Sequence, residues 1–527
     1  MKKRVISFTI CILFILTSLC VRLFTLTALS QQVSQQSSTR VKDIAVKRGF
    51  IYDRNLLPLT NDQCYYTACI LPTPEAIKHV NGKVDNDTMS SLKSGTFVFK
   101  RTNQSTFYSD CKDILLLKCY NRKQDNSLTH IIGYTDEANN GVCGLEKYYD
   151  NYLKSTGGSL SVSYNADSIG RVLINEKVEI RDDGYYNTEG LVLTIDKHLQ
   201  RILENALSNN GITQGAGVIL NTQTGEILAC ASMPSYNVNS LEYSINNKAS
   251  PFINRAFCAY PVGSVFKIVT AVATIENNAL INEYCCTGST TFNSTKFNCN
   301  ALNGHKVIGL EEALAKSCNT YFIEAGVSVG GESILATAQL FRFGKETDFG
   351  NGYKTDSGIL PDQKELVCNA DVGNLSFGQG RLTATPIQIA SMLSVIGNNG
   401  FYTEPTLIKG KVNNVGELIV ENEYLKERII EQSTCDLMKN ALEKTVTDGT
   451  GTSAKSELFE CCAKTATAQS GQYDENGNEI LYCWFAGFFP KENPQYTICI
   501  MKENGSSGGS DCGPVFKEIA ENILLNF

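Results

Sequence analysis

The chain has 527 residues, 42% of them apolar, with 47 Lys and Arg against 54 Asp and Glu for a net charge of −7. At about 150 residues per domain, that length predicts three or four units. With 12 prolines and 42 glycines the composition is globular, which excludes a disordered or collagen-like chain, and there is no basic cluster of the kind a nucleic-acid binder needs.

The 20 cysteines are about 4% of the chain, below the density of a disulfide scaffold. Their spacing is irregular, no C-x-x-C occurs, and only His79, His130, His198 and His305 could join them on a metal. They read as small buried apolar residues left reduced. If the body lies outside the cytoplasm, so many thiols point to a low-oxygen habitat or to disulfides that the sequence does not pair.

In chain order, Lys2-Lys3-Arg4 precede Val5 to Val21, 17 residues without a charge, and a mostly apolar stretch continues past Arg22 to Leu29. At 1.5 Å per residue the uncharged run reaches about 26 Å, and the flanking residues extend it to a membrane span. The basic flank stays in the cytoplasm, which sends the remainder outside. Ala28-Leu29-Ser30 loosely imitates a cleavage site, but the apolar run exceeds a usual signal-peptide core. An uncleaved, single-pass anchor is expected.

From Gln31 to about Thr188 the chain is polar and strand-like in short pieces. Leu191 to Ile195 then reads as a strand, and Asp196 caps a helix through Leu199, Ile202, Leu203 and Ala206. A hairpin follows, Ala216 to Leu220 and Glu226 to Ser232 around a turn at Asn221 to Gly225. These elements open an α/β domain. Near the end, the Gly/Ser-rich Asn504 to Asp511 reads as a loop before a helix from Pro514 to Leu525.

Between these elements, Tyr260 to Lys267 (YPVGSVFK) opens a helix that is apolar on nearly all faces through Ile275. Lys267 lies inside it, one turn from Ser264. Burial disfavours an ammonium and lowers a lysine toward general-base range, and a serine hydroxyl needs such a base to become a nucleophile. The pair alone reads equally as a capping serine with a snorkelling lysine, since S-x-x-K recurs at Ser90/Lys93 and Ser109/Lys112. Ser317-Cys318-Asn319 begins another helix, and S-x-N also recurs, at Ser163, Ser208, Ser235 and Ser244. Lys464-Thr465-Ala466-Thr467 lies in a strand-like run. Taken in order, S-x-x-K, S-x-N and K-T-x are the motif set of penicillin-binding proteins and serine β-lactamases.

Further stretches resemble the class B penicillin-binding proteins, the single-pass peptidoglycan transpeptidases. They are Arg48 to Asn55 (RGFIYDRN), His130 to Tyr134 (HIIGY), Gly141 to Glu146 (GVCGLE), Leu193 to Asp196 (LTID) and Thr224 to Pro234. Asn254-Arg255-Ala256, Phe377 to Gly380 (FGQG), Thr385 to Gln388 (TPIQ) and Trp484 to Phe488 (WFAGF) complete the set. The resemblance implies a multidomain chain: a cytoplasmic tail (1–4), a transmembrane helix (5–29), an elongated β-rich pedestal of dimerisation type (30–188) and a transpeptidase domain (189–527). The last is an α/β fold with a five-stranded antiparallel sheet between helices.

By the same resemblance, Ser264 attacks the D-Ala-D-Ala carbonyl of a stem peptide and Lys267 takes its proton. Ser317 and Asn319 relay protons and orient the peptide. Lys464, Thr465 and Thr467 hold the terminal carboxylate, and the N–H groups of Ser264 and Thr467 form the oxyanion hole. The expected ligands are peptidoglycan stem peptides and β-lactam antibiotics, the expected partner a SEDS-type membrane glycosyltransferase. No metal, no organic cofactor and no nucleic acid is implied.

Two positions depart from the pattern. Val265 replaces the threonine of S-T-F-K, and Ala466 replaces the glycine of K-T-G; Lys354-Thr355-Asp356 and Lys444-Thr445-Val446 are poorer matches. Residue 466 shares a strand face with Lys464, so its methyl is expected to crowd the ligand. Lengthening one transition-state hydrogen bond slows acylation by about 10²–10³. Ala466 is also the one feature favouring a catalytically impaired structural subunit of the wall-synthesis complex. A D,D-carboxypeptidase is the other alternative; a β-lactamase or β-lactam sensor would lack the pedestal motifs.

Overall fold

The computed structural model describes residues 2–33, 38–103, 105–122, 126–174, 176–421 and 426–526. Met1 of the expected tail and Phe527 at the expected domain end lie outside them. The N-terminal helix runs Lys2–Val33, and among the described residues it is the one helix long and apolar enough to cross a membrane, over Ile6–Thr25.

Two compact units follow from the contacts, and the chain passes between them more than once. The first comprises 1–49, 60–122 and 154–187; the second comprises 50–59, 123–153 and 188–527. The expected 30–188 segment therefore contributes two stretches to the second unit. In the first unit, Ser38–Lys47, Gly158–Ala166 and Glu179–Asp183 form one antiparallel sheet. Val98–Thr102, Gln63–Ile70 and Ile114–Asn121 form another. Cys69, Leu117, Leu160, Val162 and Tyr185 join one core.

The second unit is built on a five-stranded antiparallel sheet. Its strands are β1 (Gly215–Asn221), β2 (Ile227–Met233), β3 (Cys462–Tyr473), β4 (Glu479–Phe489) and β5 (Tyr496–Glu503), in spatial order β2-β1-β5-β4-β3. Side chains alternate across it, so each face carries its own apolar layer. Val218, Trp484, Ala486 and Cys499 meet Ile268, Val269 and Val272 of the helix α2 (Lys267–Glu276). Ile219, Phe485 and Ile500 meet Leu203 of α1 (Lys197–Asn209) and Phe516 of the C-terminal helix α4 (Gly508–Asn526). Helices thus cover both faces, and β3 is left as an edge.

The expected loop from Asn504 to Asp511 is shorter than the sequence suggests, because α4 already begins at Gly508. The Asp511 carboxylate accepts the N–H groups of Ser506 (2.5 Å) and Ser507 (3.1 Å), which starts the helix despite its Gly/Ser composition. Glycine at 508 has a packing cause as well: a Cβ there would lie 2.1 Å from the Trp484 carbonyl and 2.4 Å from that of Ala466.

Several of the family-like stretches converge within this unit. Phe50–Tyr52 adds a parallel strand to Gly190–Leu193. Just beyond it, Arg54 pairs with Glu226 (3.0 Å), and the Asn55 amide donates to Asp196 (2.9 Å). The buried Asp53 carboxylate accepts the N–H groups of Asn55 and Leu57, each at 2.8 Å. Motifs some 140 residues or more apart in the chain therefore form one polar cluster. The Arg255 guanidinium, 3% exposed, is likewise held by Glu503 at 2.9 Å.

Candidate active site

Ser264 lies in a 3₁₀ turn, Gly263–Phe266, that leads directly into α2. Two close backbone approaches fix this turn. Gly378 (φ +82°) of the F-G-Q-G stretch would place a Cβ 1.9 Å from the Gly263 carbonyl; Gly263 (φ +56°) would place one 3.0 Å from the Ala468 methyl. Val265 and Phe266 are fully buried, so Val265 faces the core, as expected of an apolar substitute. Ser264 is partly exposed and borders a cavity of about 620 Å³, along with Asn298, Ser317, Asn319, Gln379, Thr465 and Thr467. Among the described residues, its hydroxyl has no hydrogen-bond partner.

Lys267 is fully buried. Its ammonium donates to the Ser317 carbonyl (2.8 Å), the Ser317 hydroxyl (3.0 Å) and the Asn319 side-chain oxygen (2.7 Å). No carboxylate pairs with it among the described residues, so desolvation dominates and pushes its pKa down to about 7. Ser317 achieves this contact at φ +55°, a left-handed backbone that costs a non-glycine residue about 1–3 kcal/mol. That conformation points both its carbonyl and its hydroxyl at Lys267. Asn319 opens the helix α3 (Asn319–Val329), and its amide also donates to the Asn298 carbonyl at 3.1 Å.

Lys464 is also fully buried, and its Nζ turns inward to the Ser317 hydroxyl (3.2 Å) and the Thr465 carbonyl (2.9 Å). Burial, then the charge of Lys267, holds its pKa well below the usual lysine value. Of the three residues expected to hold a carboxylate, Thr465 and Thr467 border the cavity while Lys464 lies behind Ser317. Sequence reasoning missed two supports of these threonines. Thr450 shares a 2.6 Å hydroxyl contact with Thr465, and the Gly508 N–H donates to the Thr467 hydroxyl at 3.3 Å. Neither position belongs to a motif, so the sequence carried no signal for them.

Ala466 differs from the expectation of a methyl crowding the ligand. It borders the cavity, yet the residue is 3% exposed and joins the α2-side core with Cys462 and Trp484. The β3–β4 register is unbroken from Cys462 to Gln469, so the strand carries no bulge at Ala466. Ala466→Gly should accordingly leave the penicillin acylation rate within about threefold, since no transition-state hydrogen bond is gained. It should lower stability by about 1–2 kcal/mol through the lost buried methyl and a more flexible strand. Stopped-flow acylation and thermal melting measure the two effects; a rise near 10² in rate would restore the steric reading.

Comparison with known proteins identifies the family. The family model for the penicillin binding protein transpeptidase domain matches residues 215–521. The chain is 30% identical over 424 residues to stage V sporulation protein D of Bacillus subtilis, covering 75% of this chain and 62% of that one. It is 24% identical to peptidoglycan D,D-transpeptidase MrdA of Acinetobacter baumannii, covering 90% and 80% of the two chains. In fold it resembles a solved chain of a peptidoglycan synthase complex, with a TM-score of 0.71, 24% identity and coverage of 98% and 97%. With a match over more than half its length, the chain belongs to the penicillin-binding-protein transpeptidase family.

Proposed function

We propose that the protein is a peptidoglycan D,D-transpeptidase working through a Ser264 acyl-enzyme. The observation that carries this reading is the unpartnered Ser264 hydroxyl on a cavity backed by the Lys267–Ser317–Asn319–Lys464 network. Neutral Lys267, directly or through the Ser317 hydroxyl, takes the Ser264 proton as Oγ bonds to the carbonyl carbon of a D-Ala-D-Ala donor. The peptide C–N bond breaks, and D-Ala leaves as an amine after receiving that proton through Ser317. An acceptor amine on a second stem peptide then attacks the ester, the new C–N bond forms as the bond to Ser264 Oγ breaks, and the proton shed by that amine returns to Ser264 through Lys267.

The N–H groups of Ser264 and Thr467 take the developing oxyanion. The hydroxyls of Thr465 and Thr467 receive the terminal carboxylate, with Lys464 holding the Ser317 hydroxyl from behind. A β-lactam, with the same carbonyl and carboxylate, would be trapped at the ester stage. Residues 30–188 serve as the pedestal, save the stretches 50–59 and 123–153, which group with 189–527 in the transpeptidase unit. The first helix anchors the chain, and the relative solved within a peptidoglycan synthase complex supports a SEDS-type glycosyltransferase as partner.

The test is the full chain in lipid with nascent glycan strands carrying pentapeptides. Cross-linked dimers with release of D-Ala are expected; tetrapeptide monomers alone would mean a carboxypeptidase, and unchanged pentapeptides a structural subunit. Because Lys2 to Arg4 precede the span, the body should lie outside the cytoplasmic membrane. Protease added to intact protoplasts should digest it. A protected body, or a released form beginning near Gln31, would refute the anchored orientation.

A further inference from the structure

The Ser317-Cys318-Asn319 segment carries a group that the proposed acyl transfer does not use. The side chain of Cys318 turns away from the cavity toward Cys286, Cys299 and His305, and the three sulfurs and one imidazole nitrogen all lie within 4.8 Å of one another. The three cysteines are 2%, 3% and 0% exposed in the order 286, 299 and 318.

Their separations have the dimensions of a coordination tetrahedron. Zinc holds thiolate sulfur at about 2.3 Å and imidazole nitrogen at about 2.0–2.1 Å, which makes the tetrahedral edges about 3.8 Å for S···S and about 3.6 Å for S···N. In the structure Cys299 Sγ lies 3.7 Å from Cys318 Sγ, and His305 Nδ1 lies 3.6 Å from Cys286 Sγ and 3.5 Å from Cys299 Sγ. A disulfide would require an S–S separation near 2.05 Å, and all four residues converge as a pair bond would not demand.

The surrounding backbone is shaped for the same purpose. Gly288 (φ +95°) and Gly304 (φ +75°) would place a Cβ 2.0 Å from the carbonyls of Leu302 and Cys286 respectively, so both loops close only with glycine. The Thr320 hydroxyl donates to Cys286 Sγ (3.2 Å), and the Tyr321 N–H donates to Cys318 Sγ (3.5 Å). Such donors favour thiolates and orient them, the usual outer support of a metal site. The segment that carries three of the ligands consists of two small hairpin-like sheets, 284–286 with 306–308 and 289–292 with 295–298. Two-stranded sheets of this size are marginal alone and gain most from a metal clip.

We propose that Cys286, Cys299, His305 and Cys318 bind one structural zinc ion. Three thiolates and one imidazole suit zinc in geometry and softness, and four protein ligands leave no open position for catalysis by the metal. The ion ties the 284–308 excursion to the start of α3. It thereby fixes Ser317 and Asn319, the two residues flanking Cys318, against Lys267. That positioning role rests on the transpeptidase reading; the metal site itself does not.

Full-length protein, purified anaerobically in detergent without added metal, should contain about one zinc per chain by mass spectrometry of the elements. Cobalt exchanged into the site should show the strong visible bands of a tetrahedral centre and thiolate-to-cobalt charge transfer in the near ultraviolet. Cys299→Ser and His305→Ala should lose most of the bound zinc, whereas Cys285→Ser, at an exposed neighbouring cysteine, should keep it. Wild-type protein with neither zinc nor a tetrahedral cobalt spectrum would overturn the proposal, even if the ligand variants fail to fold. So would a Cys299–Cys318 disulfide, or full zinc content in a folded Cys299→Ser protein. Penicillin acylation measured on the same preparation separates the two readings: zinc without Ser264 acylation leaves the metal site standing, and acylation without zinc leaves only the enzyme.

Discussion

Replacing Ser264 by alanine should abolish covalent labelling by a fluorescent penicillin, and in the natural protein the label should map to the peptide containing Ser264. The cavity offers other hydroxyls, but each is already engaged. Ser317 accepts from both lysines, Thr465 is bonded to Thr450, Thr467 accepts the Gly508 N–H, and Ser507 is bonded to Ser510. Ser264 alone among them has no partner in the described residues. It also sits just before α2, where the helix dipole favours negative charge developing at a reacting carbonyl. Ser317→Ala should therefore slow labelling yet leave it on Ser264. A label that survives Ser264→Ala, or that maps to Ser317, would end the assignment.

Much of this arrangement was legible because its parts are local. The run from Tyr260 to Lys267 predicts the opening of a buried helix, and the structure differs only in making its first turn 3₁₀. The paired strands Gly215–Asn221 and Ile227–Met233 followed from two short strand-like runs around an Asn-to-Gly turn. What escaped depends on tertiary contacts. The inward course of Lys464 follows from Ser317 lying at φ +55° with its hydroxyl between two lysines, which no local spacing encodes. The accommodation of the Ala466 methyl needed the packing of Trp484, whose indole N–H is fixed at 3.0 Å on the Pro261 carbonyl. The pairing of Arg54 with Glu226 joins two stretches that sequence reading could only name separately. The cysteine cluster was hidden among 20 cysteines because its ligands are spaced C-x12-C-x5-H-x12-C, outside the short C-x-x-C repeats that signal a metal site.

The pH dependence of acylation should report the ionisation of Lys267. Two fully buried lysines, 267 and 464, share the Ser317 hydroxyl, and neither meets a carboxylate among the described residues. Burying both as ammonium ions is costly, so at most one carries charge, and desolvation lowers both. For Lys267 burial pulls the pKa down to about 7, with the nearby Cys318 and Cys299 thiols opposing the fall, while three acceptors orient its Nζ. Only the neutral amine can accept the Ser264 proton. The sign is therefore fixed: lowering the pH protonates Lys267 and removes the base. The second-order acylation constant should fall about tenfold per unit below pH 7 and reach a plateau above it. Lys267→Arg keeps a permanent positive charge and offers no base, so it should lower the constant by about 10²–10⁴ and flatten the profile. Lys464→Met removes the neighbouring amine without removing the base, so an inflection should persist, displaced from that of the natural protein. Stopped-flow acylation between pH 5 and 9 would measure all three profiles. A flat wild-type profile, or one rising only near the ordinary lysine pKa of about 10.4, would mean that Lys267 is not the base and that the proton leaves Ser264 by another route.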